Sequence, residues 1–350
     1  MSGSAWTTHR QASIHADLLT RRDRLVGTLD GVTGGSVEFT STTRLRGSGQ
    51  LQLRDAGQKI DWLSDRVRLS YRLSSGETLP LGVWLLSAPT VTVSGSGRSW
   101  NVDLLSKLTV LDEDCVDKPY SLRAGTLVTD AVQQLITGSG EDRVTITHSA
   151  DRTTGMLVWD AGTPVLTIIN DLLDSINYWS LWVDGEGVYR VEPYVKPAQR
   201  PVAWTFSEGS ASIHLPSWSR DQDLTGVPNR VVMVGQAEGD KPARTATATN
   251  TSPDSPFSYA RRGRWVTYVE TGVEAATQQV LDDLANRRLI DRSTPSASIE
   301  FQHLPVPIEP NAAVEFSSQG VRARAVVQKW GMSLEPTALA KTTIREVVDL

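Results

Sequence analysis

The sequence of 350 residues is poor in the groups from which small chemical sites are usually built. Its single cysteine, Cys115, excludes an internal disulfide framework and a zinc site made of cysteines. No two of its five histidines stand four residues apart, so a metal site on one helix face is not expected. No Gly-x-Ser-x-Gly elbow, phosphate-binding loop or Gly-x-Gly-x-x-Gly motif occurs. We therefore expect no cofactor and no metal.

Long apolar runs and a strong net charge are also missing. No apolar run approaches the roughly 18 residues of a membrane-spanning helix, and residues 1–24 lack the apolar segment of a secretory signal. The 35 Lys and Arg against 40 Asp and Glu give a net charge of -5, which argues against a dedicated nucleic-acid binder with a basic face. Hydrophobic residues make up 39% of the chain, and this excludes disorder of the whole chain.

What is present is, first, a set of short strands. Residues 66–73 and 79–85 both alternate apolar and polar side chains, and residues 74–77 form a short turn between them, which predicts a β-hairpin. Similar alternating pieces, separated by Gly- and Ser-rich breaks, continue to residue 104. Strands of this length and spacing favour a barrel or sandwich.

The period changes in the middle of the chain and returns afterwards. Apolar residues at helical spacing predict helices over 127–136 and 164–176, the second one after a Thr-Pro start. Strands are predicted again beyond residue 201, interrupted by the polar stretch 236–264 and a helix over 273–290.

Together these patterns predict a mainly β α+β fold with two small β-barrel-like tube domains, a small α+β domain and a helix-containing insertion. The expected division is an N-terminal segment (1–24), the first barrel-like domain (25–115), a peripheral α+β domain (116–200), the second barrel-like domain (201–236 and 296–350) and the insertion (237–295).

One polar loop is the candidate interaction site. It combines a turn-forming segment with a basic cluster that could contact phosphate or stack on bases next to Tyr259 and Trp265. The alternative is a solvated loop end that anchors the following strand, and the acidic neighbouring segments favour it. The candidate residues are Asp254, Ser255, Pro256, Arg261, Arg262 and Arg264.

Two further functions remain open at this point. The 11 Trp could supply stacking platforms for sugar rings in a carbohydrate- or receptor-binding protein. A cell-wall hydrolase would need a pair of carboxylates, and Asp112, Glu113 and Asp114 are the candidates. The absence of a catalytic signature favours a protein that acts by assembly, so no enzyme activity is expected.

The order of elements and several short segments resemble the hub proteins at the tail tips of long-tailed bacteriophages, often called minor tail proteins or tail-associated proteins. The segments are AsnArgValValMetValGly (229–235), AspSerProPheSer (254–258), HisLeuProValProIleGluProAsn (303–311) and ArgAlaValValGlnLysTrp (324–330). The resemblance covers roughly residues 20–350, and its motifs are structural rather than catalytic.

The resemblance implies a structural virion protein at the distal tail tip, assembled in the cytoplasm of the host bacterium. In that family two barrel-like domains are pseudo-equivalent, so that a homotrimer forms a ring of six. Such a ring adapts the sixfold tail tube to a threefold tip and lines the channel for DNA ejection. The implied partners are further copies of the chain, the distal tail protein ring, the tape-measure protein and other tail-tip or fibre proteins, with phage DNA only in transit.

Overall fold

The computed structural model describes residues 5–8, 10–95, 97–221, 226–236, 242–275, 277–292 and 297–347. Within these ranges the strands are β1 (Ala12–Leu19), β2 (Leu25–Thr28), β3 (Val32–Thr40), β4 (Gly47–Arg54), β5 (Arg66–Leu73), β6 (Thr78–Ser94), β7 (Gly97–Ser106), β8 (Tyr120–Leu122), β9 (Val144–Ile146), β10 (Leu157–Trp159), β11 (Trp182–Val183), β12 (Tyr189–Val191), β13 (Val202–Ser207), β14 (His214–Asp221), β15 (Arg230–Gly235), β16 (Thr245–Thr249), β17 (Thr267–Val273), β18 (Ser298–His303), β19 (Ala313–Ser318), β20 (Val321–Ser333) and β21 (Ala340–Glu346). The α-helices are α1 (Leu108–Glu113), α2 (Val128–Gly138), α3 (Val165–Asp174), α4 (Tyr259–Arg262) and α5 (Gln278–Arg292). None of the helices in the described ranges is long and apolar enough to cross a membrane.

A sheet of 13 strands forms the body of the molecule. Its strands alternate between a buried and an exposed face, as β4 illustrates: Leu51 and Leu53 are buried, and Gln50 and Gln52 face solvent. The buried apolar side chains of strands near both ends of the chain belong to one core.

Five consecutive strands, β3 to β7, make what we call the first module. Along the sheet they lie in the order β3-β4-β7-β6-β5, and every neighbouring pair is antiparallel. The fifth strand of the module is thus inserted between the second and the fourth.

The second module, β14 and β18 to β21, repeats this arrangement. Its order along the sheet is β14-β18-β21-β20-β19, again with every pair antiparallel. The third strand of each module carries one more strand on its outer edge, but β1 is antiparallel to β5 whereas β13 is parallel to β19. The chain therefore contains the same five-strand topology twice, with different flanks.

The two modules are joined by direct strand pairing, which we call the joint. The last residues of β20 pair antiparallel with β3, from Lys329 opposite Thr40 to Ser333 opposite Ser36. Across the joint the rings of Phe39 and Trp330 stack with centroids 4.9 Å apart. The sheet is consequently continuous from one module into the other.

The segment between the modules folds as a separate α+β unit with its own core. In α3 the residues Val165, Leu166, Ile169, Leu172 and Leu173 are buried, which is the stripe that an amphipathic helix presents to a core. The helices α2 and α3 pack against two small sheets, β8-β10 and β11-β12-β9.

A second small unit is inserted between β14 and β18. Its sheet has the order β16-β15-β17, and α5 covers one face of it. Val231 and Met233 of β15 face Leu281 and Leu284 of α5 in a core of their own.

The predicted mainly β α+β fold is confirmed. No closed barrel forms among the described strands, because the edge of β3 pairs with β20 of the other module instead of closing on its own.

Three local expectations differ from the structure. The strand β1 pairs with β5, so residues 12–19 of the expected N-terminal segment belong to the large sheet beside the first module. The segment 230–235 pairs with β16 and β17 rather than with the second module, because its apolar side chains fit the face of α5. The polar stretch 236–264 contains β16 and α4. The remaining domain boundaries stay predictions.

Candidate assembly surfaces

The predicted interaction loop is held in place by two buried asparagines. The side-chain amide of Asn250 donates to Ser255 Oγ at 2.8 Å, and both residues are almost fully buried. Asn229 is also buried: its amide nitrogen donates to the carbonyl of Arg264 at 2.9 Å, and its amide oxygen accepts from the backbone N–H of Val266 at 2.8 Å. These bonds fasten both ends of the loop to β15 and β16.

The arginines of the loop are engaged with the protein itself. Arg261 Nε donates to the carbonyl of Pro253 at 2.9 Å, and Arg262 Nη1 donates to the carbonyl of Val227 at 2.6 Å. Asp254, Pro256 and Arg264 are exposed. The structure thus brings all six candidate residues into one ordered loop, where two of the three arginines bind backbone carbonyls. Whether the loop binds a partner stays a prediction.

Next to this loop lies a small aromatic platform. The rings of Tyr259 and Trp265 stack with centroids 4.4 Å apart, and the guanidinium of Arg230 lies 5.0 Å from the Trp265 ring. Both aromatic side chains are more than a third exposed. Partly exposed aromatic rings of this kind can contribute to a protein interface.

Two of the three carboxylates considered for hydrolysis make contacts within the protein, and Glu113 is exposed. Asp112 pairs with Arg44 at 2.6 Å, and Asp114 accepts from Ser139 Oγ at 2.6 Å. Among the described residues no group of three or more His, Cys, Asp or Glu side chains is arranged to hold a metal ion.

A groove at the border of the α+β unit contains tryptophan and carboxylate side chains together. Trp179, Trp182, Glu192 and Glu309 line it, and desolvation by the groove walls raises the pKa of both glutamates. The Trp179 ring already contacts the Arg200 guanidinium, 4.6 Å from its centroid, and Tyr194, with ring centroids 4.7 Å apart. Arg200 and Tyr194 therefore already occupy the ring of Trp179, and these two contacts do not favour sugar stacking there.

The last surface consists of sheet edges that sequence reasoning did not single out. Beyond Leu85 the strand β6 pairs only with β7 among the described strands, and its residues 90–94 are exposed. Within the described part of the chain, β14 pairs only with β18, and β2 only with β1. The alternation Val91, Val93 in the sequence correctly indicates a strand, but no local pattern reveals that one edge of that strand lacks a partner.

The fold is shared with solved tail proteins, two of them from prophages. The chain matches the tail protein from Neisseria meningitidis MC58 with a TM-score of 0.70 and 11% identity, over 95% of this chain and 97% of the other. It matches the 43 kDa tail protein of prophage MuSo2 from Shewanella oneidensis with a TM-score of 0.65 and 12% identity, over 95% of this chain and 98% of the other. It matches the prophage tail protein gp18 from Listeria monocytogenes EGD-e with a TM-score of 0.59 and 10% identity, over 95% of this chain and 94% of the other.

The predicted resemblance to phage tail proteins is thus confirmed at the level of the fold. No protein-family model matches the sequence, and no curated protein sequence matches it.

Proposed function

We propose that this chain is a structural protein of the distal tip of a phage tail, where three copies form a hub ring. The single observation that carries the proposal is the repeated five-strand topology in one chain. Two equivalent modules per chain allow a threefold ring to present six similar units, which is what contact with a sixfold tube requires.

The charge of the chain supports a ring through which DNA passes. Affinity for DNA comes largely from Lys and Arg that neutralise phosphates. With a net charge of -5 the chain as a whole does not attract phosphate strongly, so DNA could move through the channel without being retained. A DNA-exit channel lined by the modules is therefore consistent with the composition.

In this proposal the chain acts by assembly and not as an enzyme. Its partners are two further copies, the ring of distal tail protein, the tape-measure protein and other tail-tip or fibre proteins. The place of action is the distal end of the tail in the virion, after assembly in the host cytoplasm.

The mass in solution tests the proposal. Sedimentation velocity over a wide concentration range should show a species of three times the 38.2 kDa of one chain. Two-dimensional class averages of that species from electron microscopy should show a ring with six similar lobes around a central opening. An antibody to the chain should label the distal tail end of purified particles. A chain that is monomeric at every concentration and does not label tails would contradict the proposal.

A further inference from the structure

The joint shows how one module accepts the next. In the second module β20 pairs with β19 only as far as Val326 and then continues beyond the end of that strand. Since Lys329, Trp330 and Gly331 pair with β21 on one edge and with β3 on the other, β3 occupies the edge that β19 has left. The fourth strand of a module thus offers its overhanging half to the first strand of another module.

The first module has the same overhang, and none of the described strands pairs with its outer edge. The strand β6 pairs with β5 as far as Leu85, opposite Arg66, and continues to Ser94. Along 90–94 its one partner among the described strands is β7, on the edge opposite to that of β5. The segment 90–94 therefore corresponds to the half of β20 that binds β3.

The second module has the matching first strand, which forms one end of the sheet among the described strands. In the first module β3 pairs on both edges, with β4 and with β20. Its counterpart β14 pairs with β18 alone among the described strands. Pro216 has no N–H to donate, so the part of β14 that can accept a further strand is 217–221, whose residues are mostly exposed.

The overhang has the alternating apolar side chains that a strand covered by a neighbour has. At the joint Trp330 and Met332 alternate on one face and are 4% and 5% exposed. On the overhang Val91 and Val93 alternate in the same way and are 46% and 67% exposed. The segment Thr-Val-Thr-Val-Ser carries no charge and no proline, the usual devices that protect an exposed edge from pairing.

We propose that residues 90–94 of one copy pair antiparallel with residues 217–221 of a second copy and so repeat the joint between chains. This inference rests on the proposed ring and specifies its contact. Each copy carries one overhang and one free first strand, so the contact is head-to-tail and closes when the rotation per copy allows. In a ring of three, three joints within chains and three between chains link six modules.

Paired edge substitutions test this contact. Val91→Lys with Val93→Lys should raise the concentration at which the trimer dissociates by about a hundredfold, because charged side chains on an edge oppose strand addition. The matched control is Leu25→Lys with Val26→Lys on β2, an edge strand with equally exposed apolar residues and no counterpart in the joint. The control should leave the mass unchanged, and circular dichroism should show that both variants are folded.

A cross-link gives an independent measurement. In a Cys115→Ser background, Thr92→Cys with Ser219→Cys places thiols at the centres of the two segments. Mild oxidation should give a covalent, reducible trimer on denaturing gels, whereas Val26→Cys with Ser219→Cys should not.

The outcomes separate the two proposals. A trimeric wild type whose β6 variant is also trimeric, with no cross-link, would overturn the pairing and leave the ring intact. A wild type that never exceeds the mass of one chain would overturn the ring and the pairing together.

Discussion

At the scale of single residues, His303 is the side chain whose protonation the fold opposes most clearly. It is 1% exposed and packs against Phe206, with ring centroids 4.7 Å apart. The carbonyl of Leu304 accepts from Nδ1 at 2.7 Å, and Nε2 then accepts from the Thr342 hydroxyl at 2.8 Å. Desolvation lowers the pKa of His303 to about 4. The imidazole is therefore neutral in the folded protein near neutral pH.

This burial predicts a loss of stability in acid. Because the unfolded chain binds the proton near pH 6.5 and the folded chain only near pH 4, the free energy of unfolding should fall by about 3 kcal/mol between these values. Urea unfolding from pH 7 to pH 4 measures the fall. The variant His303→Gln should lose this contribution, and His148→Gln, at an exposed position, should retain it. Equal pH profiles for wild type and His303→Gln would contradict the assignment.

At the scale of elements, β6 depends on a glycine that bends it. Opposite β6 the register shifts between Arg68 and Ser70, and Gly82 lies in this bulge with φ +98°. A Cβ built on Gly82 would come within 2.6 Å of the Trp84 indole nitrogen. The Gly82 N–H leaves the sheet and donates to the carbonyl of Gly185 in the α+β unit at 3.0 Å. The bulge therefore also attaches the two units to each other.

Substitution at this bulge should be costly. Gly82→Ala introduces both backbone strain and a clash with the indole, and we expect a loss of at least about 2 kcal/mol in the free energy of unfolding. Gly27→Ala in β2 is the matched control, since a Cβ there meets no atom within 4 Å, and its effect should stay within about 0.5 kcal/mol. Guanidinium denaturation compares the two. Similar effects of both changes would show that the bulge is not strained against alanine.

The elements themselves were largely predictable from the sequence, and their partners were not. The helix expected over 164–176 is Val165–Asp174, because a Thr-Pro start and an apolar stripe are local signals. The helix expected from 273 begins at Gln278, since Val273 pairs with Gly235 in β17. For the interaction loop, composition identified the arginines but not Asn229 and Asn250, whose buried amides hold it. Such tertiary bonds leave no periodic pattern in the sequence.

At the scale of the whole molecule, a buried ion cluster fixes the α+β unit to the large sheet. Lys107 Nζ lies 2.6 Å from Asp23 and 3.0 Å from Glu141, and its side chain is fully buried. Arg66 contacts the same two carboxylates, Asp23 at 2.9 Å. Desolvation by burial lowers the pKa of Arg66, but the hydrogen bonds to Glu141 and Asp23 and their negative charges outweigh it, so the pKa is raised. Lys107 Nζ also donates a hydrogen bond to the carbonyl of Gly187 at 2.9 Å. Arg143 lies 3.7 Å from Asp23 as well, so three cations and two acids meet where the units touch.

Removal of one charge from this cluster should destabilise the molecule strongly. Lys107→Met leaves Asp23 and Glu141 buried with one cation fewer, and the expected loss is about 3–5 kcal/mol. The control is Lys341→Met, whose pair with Glu300 at 2.7 Å is about half exposed and should be worth less than about 1 kcal/mol. Urea unfolding of both variants measures the difference. A small effect at Lys107 would mean that the neighbouring arginines compensate.

The arrangement of strands was the part that the sequence did not reveal. Alternation along residues 66–73 or 322–330 predicts strands with one buried face. Both strands occur, but β5 buries six of its eight residues, Arg66 and Ser70 among them. Nothing in that alternation specifies that the end of β20 meets β3, because pairing depends on contacts between residues far apart in the chain. The same local alternation would therefore be found in two separate barrels and in one continuous sheet.

That distant pairing also constrains how the protein is made. Lys329 and Thr40 are partners, although about 290 residues separate them along the chain. At a synthesis rate of roughly 5–20 residues per second, β3 waits on the order of 15–60 s before its partner leaves the ribosome. Contacts this remote in sequence slow folding. During translation the amino-terminal strands thus expose unpaired backbone N–H and C=O groups. Chaperones should therefore remain bound to the amino-terminal half of the chain until β20 has emerged.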